Sequence, residues 1–197
     1  MPPRRASPSG LVLAAGAGTR HGGPKALVST WLADAVDLLL DGGCAHVVVV
    51  LGAAADEARP LVPDDERVTA VVADRWADGL GESLRTGLAR ATGDAVVVTL
   101  VDLPGTPVTV VERLTSAWDR QTLRQAVYGG RPGHPVLIGA DHWTPLADAL
   151  TADRGARDYL VAHGVVEVEC ADLHDGLDED VSRTPGPARH PPTAPEP

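Results

Sequence analysis

Phenylalanine is missing from this 197-residue sequence, and two tyrosines and one methionine are all that accompany its four tryptophans. With 44% hydrophobic residues but only 3% aromatics, the chain must build its core from valine, leucine and alanine. Such side chains suit strands buried beneath helices. Cysteine is equally scarce. Cys44 and Cys170 stand alone, without the spacing of a zinc site or a disulfide framework, and two reduced core thiols are expected. Positive charge is short: 17 Lys and Arg against 27 Asp and Glu give a formal net charge of -10. That deficit argues against nucleic acid as a general partner. No run is long enough to span a bilayer, and residues 1–10 lack the apolar region of a secretory signal. The expectation is a soluble, cytoplasmic protein with no membrane partner, of a length that suits one domain.

Glycine, by contrast, is plentiful, and it crowds into one stretch. Residues 11–27 read LVLAAGAGTRHGGPKAL. An apolar run opens into Gly16, Gly18, Gly22 and Gly23, is flanked by Arg20 and Lys25, and then enters a helical segment. Glycines lacking a Cβ let backbone N–H groups approach an anion, and the two cations neutralise it. The stretch is therefore expected to wrap a phosphate. A dinucleotide fingerprint would need glycine where His21 stands and an acidic residue after the second strand, where Gly52 and three alanines follow Leu51. A P-loop would need Gly-Lys-Ser/Thr, but Pro24 precedes Lys25 and Ala26 follows it.

In order, the chain alternates short apolar runs with helical patterns. Strands are expected at 11–15, 46–51, 68–72, 95–101 and 165–170, and two more at 125–128 and 135–138. The VVVV of the second run has no polar alternation, the mark of a parallel strand covered on both faces. Helices are expected at 31–40, 53–61, 82–91, 108–118, 141–150 and 155–163. Ser29 or Thr30 caps the first of these, and Gly42 and Gly164 act as stops. GGRPGH separates two strands too closely for a crossover helix, which implies a hairpin. The reading is one α/β domain with a mainly parallel mixed sheet over 10–182. Residues 1–9 form a flexible start, and the proline-rich 183–197 a disordered tail.

Five ordered segments resemble one family. LAAGAGTRHGGPKAL looks like the signature loop of the MobA-like nucleotidyltransferases, LAAGxSxRMGxPK. DRWADGLGESLRTGL, TLVDLPGTP, RPGHPVLI and DRGAR follow in the family's order. The subgroup most similar is molybdenum-cofactor cytidylyltransferase. The resemblance implies a three-layer, Rossmann-like fold of the nucleotide-diphospho-sugar transferase type. It also implies Mg²⁺-dependent transfer of NMP from an NTP, CTP favoured over GTP, to a small phosphorylated acceptor such as molybdopterin cofactor, with release of pyrophosphate. A molybdoenzyme is the implied protein partner.

The resemblance assigns roles by position. Backbone at Ala15, Gly16, Ala17 and Gly18 would hold the triphosphate, with Arg20 and Lys25 on its phosphates. Asp102 would carry magnesium. Ala14, Gly79, Gly81 and Ser83 would read the base. His134, held in a constrained loop, and Asp153, Gly155 and Arg157 would face the acceptor. Each has a plainer reading that stays open: a turn for Asp102, a structural histidine for His134, a helix cap for Asp153, a solvated side chain for Arg157. Asp180 is the implied second metal ligand or part of a solvated acidic loop, because Val181, Ser182 and Arg183 interrupt the family's late DxDTPED segment. The remaining histidines have no zinc-ligand spacing. A family member serving another acceptor, and a cofactor-binding chaperone without turnover, are the competing readings.

Overall fold

In the computed structural model, residues 7–19, 21–28, 30–151 and 155–178 are described. Strands β1 (Ser9–Ala14), β2 (Val47–Leu51), β3 (Val68–Val72), β4 (Ala95–Leu100), β5 (Leu123–Tyr128), β6 (Arg131–Gly139) and β7 (Val166–Glu169) form one sheet. Its order is β3-β2-β1-β4-β6-β5-β7. β1, β2, β3 and β4 run parallel, β6 is antiparallel to β4 and β5, and β7 is parallel to β5. The α/β architecture with a mainly parallel mixed sheet is the one expected.

Alternation along the strands sorts the core into two layers. From one face, Val12, Val47, Val49 and Val97 pack with Leu32, Val36 and Leu39 of α1 (Trp31–Asp41) and with Val110, Val111 and Leu114 of a second helix. From the other, Leu11, Leu13, Val48, Val50 and Val98 pack beneath further helices. In chain order those that follow α1 are α2 (Ala55–Ala58), α3 (Leu80–Leu88), α4 (Val108–Leu114), α5 (Trp143–Ala149) and α6 (Arg157–Ala162). α3, α5 and α6 cover the second face through Leu84, Leu88, Leu146 and Leu160. All five residues of β2 are buried, as their unbroken valine run requires. Cys44 and Cys170 are free and buried, and burial pushes the Cys44 thiol up to about 12. No helix among the described residues is long and apolar enough to cross a membrane.

Three departures have local causes. The 53–61 helix shrinks to one turn at α2 followed by a 3-10 turn, Arg59–Leu61, where Pro60 has no N–H to continue the ladder. α4 ends at Leu114, because the hydroxyls of Thr115 and Ser116 donate to the carbonyls of Val111 and Arg113 at 2.9 Å. Most consequential, RPGH is not a loop. Gly129 and Gly130, with φ of 61° and 74°, make the whole two-residue turn. β6 therefore begins at Arg131, and His134 lies inside a strand.

That hairpin is pinned from below. The Glu169 carboxylate accepts the amides of Gly129, Gly130, Cys170 and Ala171 at 2.8–3.3 Å, and these bonds hold it below the usual carboxylate range. The Tyr128 hydroxyl donates to the His134 carbonyl at 2.7 Å. A Cβ at Gly176 would stand 2.1 Å from the Tyr128 ring, so the chain after β7 lies directly against it.

Candidate active site

The site follows from the strand order. β1 is hydrogen-bonded to β2 on one side and β4 on the other. The loops leaving the carboxyl ends of β1 and β4 therefore diverge over a crevice, where open α/β sheets take their ligands. A cavity of about 420 Å³ opens there. Its walls are the glycine loop from Ala14 to Gly18, the turn and first residues of α3 at Gly79, Leu80 and Ser83, and the end of β4 with Asp102.

The loop has a defined internal scaffold. The Gly18 carbonyl accepts the amides of His21, Gly22 and Gly23 at 2.9, 3.0 and 3.1 Å. Gly18 itself has φ of 57°, and a Cβ there would lie 1.8 Å from the Gly23 carbonyl oxygen. Only glycine fits. The loop's base is held by β2: the Ala53 amide donates to the Ala15 carbonyl at 3.0 Å, and a Cβ on Gly52 would come within 2.6 Å of that same oxygen. Among the described residues the amides of Gly16, Ala17 and Gly18 donate to no other group, so they are the donors left for a bound anion.

Lys25 and Asp102 meet at this wall. The lysine Nζ donates to Asp102 Oδ2 at 2.8 Å, and both side chains are about five-sixths buried, at 16% and 17% exposure. Asp102 Oδ1 is buried and has no hydrogen-bond partner. An orphaned carboxylate oxygen beside a phosphate-sized crevice is a donor set that suits magnesium, which takes one or two carboxylates and completes its shell with phosphate oxygens and water. Among the described residues no three His, Cys, Asp or Glu side chains are grouped to hold a metal without such a ligand.

Of the residues expected to hold nucleotide, Ala14, Ala15, Gly16, Ala17, Gly18, Gly79 and Ser83 line the cavity, as do Lys25 and Asp102. Gly81 is buried in the first turn of α3 and is not among the lining residues. Gly79 has φ of 114°, a conformation that explains glycine at the entry to α3. Arg20, Asp153 and Asp180 lie outside the described residues.

His134, Gly155 and Arg157 come together elsewhere, on a neighbouring cavity of about 190 Å³. Burial pushes the His134 imidazole down to about 4, against the opposing pull of the Asp102 charge. It therefore presents a neutral ring at physiological pH. Trp76, Leu80 and Gln125 are among the lining residues that carry no assignment from the sequence. Trp76 and Leu80 line the first cavity and Gln125 the second. The signal for Gln125 was an amide at the head of the apolar run Ala126, Val127 and Tyr128; Leu80 gave none.

The chain matches the MobA-like NTP transferase domain over residues 10–168. Nicotine blue oxidoreductase of Paenarthrobacter nicotinovorans is 38% identical over 187 residues, covering 87% of this chain and 91% of that protein. The structure of Rv0371C complexed with manganese, from Mycobacterium tuberculosis, is 26% identical with a TM-score of 0.66, covering 84% of this chain and 89% of that one. A nucleotidyl transferase from Methanothermobacter thermautotroptrophicus shares the fold with a TM-score of 0.76 at 23% identity, covering 87% and 91%. A glycine loop at the β1–β4 crevice, a paired lysine and aspartate beneath it, and a match across most of the sequence lead to one placement: the chain belongs to the MobA-like NTP transferase family of nucleotidyltransferases.

Proposed function

We propose that this chain transfers NMP from an NTP, CTP in preference to GTP, to a small phosphorylated acceptor of the molybdopterin type, within a domain spanning 10–182. The observation that carries the reading is the Lys25–Asp102 pair at the wall of a cavity faced by the glycine-loop amides. Those amides bind and orient the triphosphate. Ala14, Gly79 and Ser83, which line the cavity, read the base. An acceptor phosphate oxygen forms a new bond to the α-phosphorus as the bond to pyrophosphate breaks. Negative charge grows on the departing and bridging oxygens, and Lys25, released from Asp102, meets it. Mg²⁺, held by Asp102, would supply further charge neutralisation to the phosphates. The acidic surface and reduced core thiols support a cytoplasmic setting, with a molybdoenzyme as the recipient of product.

A second reading is favoured by one observation, the oxidoreductase name of the relative that is 38% identical. The two readings separate in parallel assays on one preparation. Pyrophosphate release from the four NTPs, with Mg²⁺ and a panel of phosphorylated acceptors, is expected. Oxidation of NADH or NADPH by an organic acceptor, with no pyrophosphate under any condition, would replace transferase by oxidoreductase chemistry. Tight nucleotide binding with neither turnover would leave a binding protein.

A further inference from the structure

The first cavity changes character from one end to the other. At the end of β4 it carries its charge: Lys25 and Asp102 are the two charged side chains among its described lining residues. In the middle, after β1, stand the amides of the glycine loop. At the far end is Trp76, the one aromatic side chain among the described lining residues. Strand order fixes this arrangement, because β2 and β4 flank β1. Trp76 belongs to the β2 side: a Cβ on Gly52, the residue that follows β2, would lie 2.6 Å from the Trp76 Cβ. Neighbouring strands are about 4.8 Å apart, so the aromatic and charged ends are separated by roughly 10 Å.

Trp76 is both braced and reachable. It opens a 3-10 turn, Trp76–Asp78, whose entry is tied to the sheet. The Ala73 amide donates to the Leu51 carbonyl at 2.8 Å, and the Trp76 amide to the Ala73 carbonyl at 3.0 Å. The side chain packs in part against the second core layer and stays half-buried. The other tryptophans are engaged elsewhere. Trp31 is buried in the first core layer, Trp118 packs against that layer, and Trp143 donates its indole N–H to the Ile138 carbonyl at 3.0 Å. Arg75 and Asp78, on the same turn, pair with each other at 2.7 Å and do not line this cavity. An aromatic ring at the uncharged end offers stacking, which any nucleobase can use because each has a π face.

We infer that Trp76 is the platform on which the nucleobase stacks. The nucleotide then lies across the sheet, with its base on the β2 side and its phosphates running from the β1 loop toward Lys25 and Asp102. Trp76 is a binding residue that adds affinity for any NTP, while the choice among bases stays with hydrogen-bonding groups. The inference rests on the reading that this cavity holds the nucleotide.

The test uses the full chain with Mg²⁺ and no acceptor. CTP, GTP and inorganic tripolyphosphate are titrated by isothermal calorimetry, with tryptophan fluorescence read in parallel. Trp76→Leu is expected to weaken both nucleotides roughly tenfold, toward the low end for a base–aromatic stack because leucine keeps some apolar contact. Tripolyphosphate should stay within about twofold, and that persistence shows the variant folded with its phosphate loop intact. Trp76→Phe keeps a π face, so it should recover most of the nucleotide affinity while losing the fluorescence quenching that both nucleotides are expected to cause in the wild type. Unchanged nucleotide affinity in Trp76→Leu overturns the inference, as does an equal loss for tripolyphosphate, which would mark Trp76 as a support of the loop. If Trp76→Leu does not fold, Trp76→Phe decides, since quenching of wild-type size in that variant overturns the stack. A wild-type protein that binds nucleotides no more tightly than tripolyphosphate sinks the inference and leaves the phosphate cradle standing. One that binds neither nucleotide nor tripolyphosphate sinks the nucleotide reading itself.

Discussion

Lys25→Ala is expected to lower kcat/KM for nucleotidyl transfer by about 10²- to 10³-fold, the usual loss when one preorganised donor to a developing oxyanion is removed. Position gives the lysine this weight. Its ammonium is mostly buried and already aimed at the crevice by Asp102, at 2.8 Å. Little reorganisation is therefore needed when phosphate oxygens replace the carboxylate as its partner. Removing it also leaves Asp102 with both oxygens unpaired, since Oδ1 has no partner to begin with. The partial exposure of the pair limits that stability loss to about 1–3 kcal/mol. Lys25→Arg keeps the charge but not the compact point donor, and an intermediate rate is expected. Steady-state kinetics with thermal melts separate the two effects. A Lys25→Ala enzyme that turns over like wild type would remove the lysine from the mechanism.

Gly18→Ala is the other large effect, and it acts through backbone. The added Cβ would meet the Gly23 carbonyl oxygen at 1.8 Å and the carbonyl carbon at 2.7 Å. No rotamer change relieves a clash between main-chain atoms. The loop must open, and the three amide bonds on the Gly18 carbonyl open with it. Strain and lost bonds together are worth about 2–4 kcal/mol, a fall of roughly 4–16 °C in Tm for a domain of this size. Nucleotide affinity should drop by at least about 100-fold, because the anion-facing amides lose their geometry. Gly16→Ala is the matched control. Its Cβ meets nothing within 4 Å, so the fold should hold. Isothermal titration with CTP and differential scanning calorimetry read both variants, and a Gly18→Ala protein that binds CTP normally would show that the loop does not form the cradle.

The parts legible in the sequence were those governed by local pattern. Unbroken valine runs marked β2 and β4 as buried on both faces, and the 3.6-residue stripe of α1 located its packed side. The glycine loop was readable because its glycines satisfy local steric demands, as Gly18 shows. The less legible features depend on distant partners. Lys25 and Asp102 are 77 residues apart, and only the adjacency of β1 and β4 brings them into contact. His134 looked like a loop residue because two prolines and a glycine surround it. A two-glycine turn instead lets β6 run through that segment, and pairing with β4 and β5 overrides local propensity. His134 lines a second cavity that abuts the phosphate crevice, near enough for the Asp102 charge to act on it. Gln125 was overlooked because one polar residue in a strand carries no meaning until its register is known.

On the proposed reading, the β1–β4 crevice holds a nucleoside triphosphate with its metal on Asp102. Equilibrium binding of CTP and GTP, with and without Mg²⁺, to the wild-type protein and to Asp102→Asn tests it most directly. Mg²⁺ is expected to tighten nucleotide binding to the wild type, and this tightening is expected to disappear in Asp102→Asn, which retains the shape of the side chain but not its charge. Equal tightening in both proteins, or no nucleotide binding by the wild type, would contradict it.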